Sequence, residues 1–291
     1  MKSKMQASEL ILTPEGAVYH LRILPHQLAH KVILVGDQAR VSMISKHFSR
    51  IECQVQNREI CTHTGWYNGV RISAVSTGMG TDNIDIVVNE LDALVNIDFH
   101  SRSICEKHTQ LELVRLGTSG ALQPGIAIGD FVASEWGAGI DGLLNFYAGD
   151  KSSFNDEMNA AFMKHMNWPA SWADTYIAPA NKDLMDKLAP GLIRGITATA
   201  PGFYGPQGRQ LRGQLFRDDL NELLMTFNYN GTRVVNFEME TSALFGLSAL
   251  LGHKALTICV AIANRATGEF MGDYHQRMED LVVHCLDHFT L

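Results

Sequence analysis

Lys31-Val-Ile-Leu-Val-Gly-Asp-Gln-Ala-Arg-Val41 sets the fold class of this chain. Lys31 to Gly36 is a short apolar run that stops at a glycine, the pattern of a strand buried in a parallel sheet. Asp37-Gln-Ala-Arg-Val then opens a helix predicted to run to about Phe48. A strand, a glycine turn and a helix N-terminus together form an anion site, because unpaired backbone N–H groups and the helix dipole face the ligand. Arg40 adds a full positive charge there. The alternative local reading has Asp37 as a plain helix cap and Arg40 in solvent.

The same unit recurs along the chain. Arg58 to Tyr67 and Val70 to Ser76 read as strands joined by the Asn68-Gly69 turn, an antiparallel hairpin. Thr77-Gly-Met-Gly leads into a helix over Thr81 to Val95, with Ile84, Val87, Val88, Leu91 and Leu94 at helical spacing. Leu111 to Leu116 is predicted as a strand, with Gly117-Thr-Ser-Gly-Ala121 as the turn that follows it. Gly129 to Ser134 is a further strand, and Glu135 to Gly149 reads as irregular. Helices are predicted over 155–166 and 181–188 on the polar side of the fold. Gly191 to Thr199 returns as a strand, and Asp218 to Thr226 as a helix. Val234 to Phe237 is strand-like, Glu238-Met-Glu-Thr starts an apolar helix over Ala243 to Leu251, and Ala255 to Ile262 is the last strand. Tyr274 to Phe289 is an amphipathic helix that covers the sheet. Strands alternating with helices make an α/β domain, whose ligands bind at the carboxyl ends of the strands.

Composition narrows the classes. With 291 residues, 46% hydrophobic and 19% charged, the chain can bury one large core. A formal charge of −7 and the lack of any Lys/Arg run argue against nucleic-acid or membrane-surface partners. Met1 to Leu12 lacks a signal-peptide pattern and no apolar run approaches a membrane span, so a cytoplasmic location is expected. The five cysteines form no Cys-x-x-Cys pair and read as reduced core thiols. The histidines lack zinc spacing, His20, His26 and His30 included, and no metal site is expected.

Three stretches carry chemistry. Arg115, near the end of its strand, offers a planar cation for an oxyanion, and Thr118 a hydroxyl beside glycines that let a ligand approach closely. The alternative is an Arg115 paired with a carboxylate. Pro201-Gly-Phe-Tyr-Gly-Pro-Gln-Gly-Arg209 sets two aromatics and two planar hydrogen-bonding side chains in a tight loop, a pocket for something flat and polar. Glu238 and Glu240 flank Met239 at the mouth of a buried helix. Burying a carboxylate without a partner is costly, and a diol would supply one. Glu238 is also placed to cap the helix, which leaves Glu240 as the better candidate for a ligand.

Gly36-Asp-Gln-Ala-Arg-Val, Ser76-Thr-Gly-Met-Gly, Arg115-Leu-Gly-Thr-Ser-Gly-Ala with Pro124 and Gly129-Asp130 behind it, and Glu238-Met-Glu-Thr stand in one order and spacing. In that arrangement the chain resembles the nucleoside phosphorylase family, trimeric or hexameric branch, over about residues 17 to 289. The resemblance implies a single domain over 17–291 behind an N-terminal extension, 1–16. It implies a central mixed β-sheet partly closed into a barrel and flanked by helices, and homo-oligomers, dimers or hexamers, whose subunits share active sites. By the same resemblance, Gly36, Arg40, Arg115 and Thr118 bind phosphate, joined by Arg58 from the neighbouring subunit. Met239 and Glu240 hold the ribose, with His20 lent by the neighbour. Phe203, Gln207, Arg209 and Arg265 form the base site.

Phe203-Tyr204 with Gln207 and Arg209 is similar to the uridine-specific members, whereas purine-specific relatives carry an Asp where this chain has Asn264-Arg265. The implied activity is phosphorolysis of uridine, with deoxyuridine or thymidine as further substrates, as part of pyrimidine salvage. Arg115, Arg209 and Glu240 are its catalytic residues, phosphate is a co-substrate, and no cofactor is implied. A purine-specific phosphorylase, a hydrolytic nucleosidase of the same fold and a silent nucleoside-binding oligomer are the alternatives. The trio Arg40, Arg58 and Arg115 speaks against a hydrolase, which has no use for three arginines around attacking water. The chain departs from the family pattern at Gln38, where Pro or Ser is usual, and at Gly208, where an acidic residue is common. An inter-subunit potassium ion, bound by some bacterial relatives, would want Glu59; Asn83 stands where a serine carbonyl ligand is expected, so the resemblance does not support it.

Overall fold

The computed structural model describes residues 4–291, and in it the 31–41 stretch is the strand and helix its pattern predicts. Strand β1 is Lys31–Val35 and helix α1 is Gln38–Ser45. Three strands flank them, β2 (Arg50–Asn57), β3 (Ile60–Tyr67) and β4 (Val70–Ser76), followed by α2 (Thr81–Asn96). Then come β5 (Glu112–Ala121), β6 (Phe131–Gly139), α3 (Asp156–His165), β7 (Tyr176–Pro179) and α4 (Lys182–Leu188). The chain closes with β8 (Ile193–Thr199), α5 (Leu220–Thr226), β9 (Thr232–Glu238), α6 (Thr241–Leu251), β10 (Lys254–Asn264) and α7 (His275–Thr290). No helix among the described residues is long and apolar enough to cross a membrane.

β1 lies inside the sheet, parallel to β4 on one side and β5 on the other. Val32, Ile33, Leu34 and Val35 are accordingly fully buried, which is why the strand reads as a continuous apolar run. Beyond β4 the sheet ends in the antiparallel meander β4-β3-β2. On the other side β5, β10, β6, β8 and β9 follow in order, and β9 pairs back onto β5. Those five strands form a closed barrel, so the domain is α/β with a mixed sheet partly rolled shut. One apolar layer packs α1, α4 and α7 on one face of the sheet, and a second packs α2 and α6 on the other.

The barrel explains two departures from the sequence reading. Gly117 to Ala121 is not a turn but the second half of β5, held by β10 on one side and by β9 at Gly120 and Ala121 on the other. A Cβ on Gly120 would lie 3.2 Å from the Phe237 ring, so its absence lets the two strands close. Likewise Glu135 to Gly139 is strand, with a register shift at Glu135, because β6 continues between β8 and β7. β2 was not anticipated. It is the sheet edge, with Glu52, Gln54 and Gln56 exposed and only Cys53 buried.

Candidate active site

The carboxyl ends of β1, β4, β8, β9 and β10, with the middle of β5, converge on one cavity of about 1090 Å³. It gathers Gly36, Arg40, Arg115, Thr118, Phe203, Gln207, Arg209, Met239, Glu240 and Arg265, which span most of the chain. His20 and Arg58 do not line it. They lie near each other beside it: the cavity-lining Gln38 donates from Nε2 to the Arg58 carbonyl, and the next residue, Glu59, lines the cavity. The His20 carbonyl accepts from Asn57 Nδ2 at 2.9 Å, beside an exposed Arg58 at φ 53°. The His20 Nδ1 meets Glu90 Oε1 at 2.7 Å. Glu59 and Asn83 both line the cavity, and Asn83 Nδ2 donates to the Met79 carbonyl at 3.2 Å.

Arg115, only 4% exposed, lies between two carboxylates. Its Nη2 is paired with Glu240 Oε2, and its Nη1 is 3.3 Å from Glu238 Oε2. Nε is buried without a partner. Burial alone would lower the Arg115 pKa, but Glu240 and Glu238 raise it above its ordinary value. Burial pushes the Glu240 carboxyl up, with Arg115 pulling the other way. The guanidinium folds back over its own strand, which Gly117 permits: a Cβ there would be 2.2 Å from Nη1. Cys259 Sγ lies beneath at 3.7 Å from Nη1, its thiol pushed up by burial to about 12.

The two glutamates differ as the sequence reading expected. Glu238 is a cap: it accepts from the backbone N–H of Glu240 and Thr241 and from Thr199 Oγ1 at 2.8–3.0 Å. Glu240 has one oxygen on the Gly80 N–H, 2.8 Å, and the other on Arg115. Gly80 belongs to the Ser76-Thr-Gly-Met-Gly motif, whose contribution is a backbone donor and so carries no side-chain signature.

Asp37 does cap α1, accepting from Ala39 N at 2.9 Å. Arg40 is not in solvent: its Nη2 donates to Tyr274 Oη at 3.2 Å and its guanidinium lies 5.6 Å from that ring. Tyr274, read only as the start of a covering helix, therefore orients an arginine far from it in sequence.

The Pro201–Arg209 loop supplies Phe203, Gln207 and Arg209 to the cavity lining. The guanidinium of Arg209 stacks 3.9 Å from the Phe203 ring centroid and 5.5 Å from that of Phe237. Its Nη1 donates to the Phe203 carbonyl at 2.7 Å and to Gln207 Oε1 at 2.6 Å. Both Nη1 hydrogens are thereby used, and Arg209 lines the cavity. Burial and the nearby Arg265 lower the Arg209 pKa. Asn264 is a structural residue: its Nδ2 donates to the Gln123 and Ile126 carbonyls, and its Oδ1 accepts from Ala266 N at 2.8 Å. Phe237 was missed in the sequence because it reads as an ordinary strand residue.

Asp92, His108 and His253 also lie close together, outside the cavity. The Leu111 N–H donates to His253 Nδ1 at 3.2 Å, so Nε2 carries the proton and meets Asp92 Oδ1 at 3.1 Å. That nitrogen is a donor in a hydrogen-bonded corner, not a free metal ligand.

Known proteins place this geometry. A uridine phosphorylase of Thermococcus kodakarensis is 32% identical over 93% of this chain and 86% of its own. A DeoD-type purine nucleoside phosphorylase of Anoxybacillus flavithermus is 29% identical over 86% and 88%. Among solved structures, a Trypanosoma brucei nucleoside phosphorylase described as showing uridine phosphorylase activity superposes with a TM-score of 0.84 at 28% identity, covering 96% of this chain and 99% of its own. With the family profile of the phosphorylase superfamily matching residues 30–288, the chain belongs to that superfamily.

Proposed function

We propose that the protein catalyses the reversible phosphorolysis of uridine to uracil and ribose 1-phosphate. The observation that carries this reading is one cavity whose lining combines Arg40 and Arg115, the Glu240 carboxylate, and Gln207, Arg209 and Arg265. The uridine phosphorylases among its relatives and the Gln207–Arg209 pair favour a pyrimidine over a purine. Asn264 has its amide committed to two carbonyls, so it is not a proton donor to a purine base.

Phosphate sits against the Gly36 backbone, Arg40, Arg115 and Thr118, with Arg58 supplied by a neighbouring subunit. Its attack on C1′ breaks the bond to the base, so positive charge grows on the sugar and negative charge on the leaving uracil. Fixing the nucleophile removes much of the entropic barrier. Met239 packs on the ribose, Glu240 accepts from its hydroxyls, and His20 of a neighbour reaches the 5′ end. Phe203 covers the base, while Gln207, Arg209 and Arg265 hold its polar edge. Every charge that develops meets a side chain of opposite sign, so these steps call on no metal or organic cofactor.

Chromatographic analysis of uridine, thymidine, inosine and adenosine, each with and without phosphate, tests this. Uracil and ribose 1-phosphate are expected from uridine only when phosphate is present. Comparable cleavage of inosine, or cleavage in water alone, would refute the assignment. If a neighbouring subunit lends His20 and Arg58, as the family resemblance implies, sedimentation is expected to give a dimer or larger species. A purely monomeric active enzyme would contradict the lent residues.

Gly117→Ala tests the Arg115 site from another direction. The new methyl meets the Arg115 guanidinium first, 2.2 Å from Nη1, so the cation has to move between its two carboxylates and some stability is lost with the activity. The KM for phosphate is expected to rise about tenfold or more, as when a charge-assisted contact is lost, with the uridine KM changed far less. If the defect came instead from packing on Cys259, the double variant with Cys259→Ala would restore activity.

A further inference from the structure

A second cavity, of about 470 Å³, lies behind the Pro201–Arg209 loop. Pro201, Gly205 and Pro206 form one wall, so a single loop presents Phe203, Gln207 and Arg209 to the active site and its prolines to this cavity. The opposite walls are aromatic. Trp168 and Trp172 meet edge to face, with ring centroids 5.0 Å apart, and Phe216 lies 5.5 Å from Trp172. The one acidic group on the lining is Asp141.

Asp141 has hydrogen bonds but no cation. It accepts from Leu143 N, Tyr176 Oη and Ser242 Oγ, each within 2.8–3.0 Å. Among the described residues no Lys, Arg or His lies within ion-pair distance of it. Arg217, also on the lining, is neutralised by Asp219 at 2.5 and 2.8 Å and is tied to the Met166 carbonyl. Burial raises the Asp141 pKa, and the hydrogen bonds from Leu143, Ser242 and Tyr176 pull it the other way. Aromatic rings and a carboxylate without an ion-pair partner, on the lining of one cavity, attract an organic cation by two means, cation–π contact and charge.

We infer that this cavity binds a small organic ammonium ion, held between Trp168, Trp172 and Phe216 with Asp141 as its counter-ion. On the uridine reading, the occupant braces the base loop from behind and alters affinity for the nucleoside rather than for phosphate.

The test titrates the full-length protein with choline, and separately with its neutral isostere 3,3-dimethylbutan-1-ol, at constant ionic strength. Tryptophan fluorescence is followed, since two of the four tryptophans line the cavity. A saturable response to choline is expected, with affinity about tenfold or more above that of the isostere. Trp172→Leu should abolish it, and Asp141→Asn should weaken it by a similar factor. Equal binding of the isostere, or a choline response unchanged in Trp172→Leu, overturns the site. Trp172→Leu lies outside the Asp141–Tyr176–Ser242 network, so the test stands even if Asp141→Asn does not fold. Saturating choline should shift the uridine KM and leave the phosphate KM alone. An unmoved uridine KM would overturn the link between the cavities, and the fluorescence response does not depend on the substrate assignment.

Discussion

Arg115→Ala is expected to lose phosphate-dependent uridine cleavage by about three orders of magnitude in kcat/KM for phosphate, and to lose stability as well. The two losses have separate causes. The first follows from removing the cation proposed to bind phosphate. The second follows from what remains, Glu238 and Glu240 buried side by side without a counter-charge. Removing one partner of a buried ion pair typically costs about 3–5 kcal/mol. Glu240 carries most of it, because Glu238 keeps its backbone and Thr199 donors while Glu240 keeps only Gly80. The sign of the pH dependence is fixed. Burial already raises the folded-state pKa of Glu240, and loss of Arg115 raises it further. An acid with a raised folded pKa destabilises the fold only when ionised. The deficit is therefore absent below the ordinary glutamate pKa, grows as pH rises towards the raised value, and is complete above it. Thermal unfolding of the variant against wild type across that range checks this. Arg115→Ala/Glu240→Gln should recover much of the melting temperature at neutral pH and none of the activity. A double variant as unstable as Arg115→Ala would show that the buried carboxylate is not the source.

Much of this arrangement is legible in the sequence, and the rest is hidden for physical reasons. The Lys31–Val41 pattern carries both a strand and a loop because a strand buried on both faces needs no alternation, and the glycine ending it is visible. The Gly117–Ala121 segment misleads because small residues that allow close strand approach are the same ones that make turns. Only its partners, β9 and β10, distinguish the two, and they lie more than a hundred residues away. The alternatives left open for Arg115 were not exclusive. It is paired with carboxylates and it lines the cavity, as its partner Glu240 does. Contacts such as Gly80 N to Glu240 and Tyr274 to Arg40 join distant residues through a backbone group or a lone hydroxyl, and neither leaves a local pattern.

Arg209→Ala should remove pyrimidine turnover while sparing phosphate binding. Uracil departs with negative charge on its oxygens, and a fixed donor aimed at such charge is worth about 10²–10³ in kcat. Arg209 is fixed to an unusual degree for a loop residue. Phe203 lies against one face of the guanidinium, and Nη1 is clamped between a backbone carbonyl and Gln207 Oε1. That clamp also sets the Gln207 amide, because its Oε1 accepts from Arg209 and its Nε2 is left as a donor for the base on the proposed reading. The variant therefore loses two aligned donors, not one, and Gln207→Ala alone should be the milder defect. Arg209→Lys should not rescue, because an ammonium cannot stack on Phe203 while donating in a plane to two acceptors and a base. The decisive comparison is with phosphate. Arg209→Ala should lower kcat with the phosphate KM unchanged, the reverse of Gly117→Ala, which acts through Arg115. Matching defects in the two variants would mean that the two arginines do not bind separate substrates, and the division of the site into phosphate, ribose and base regions would fall with them.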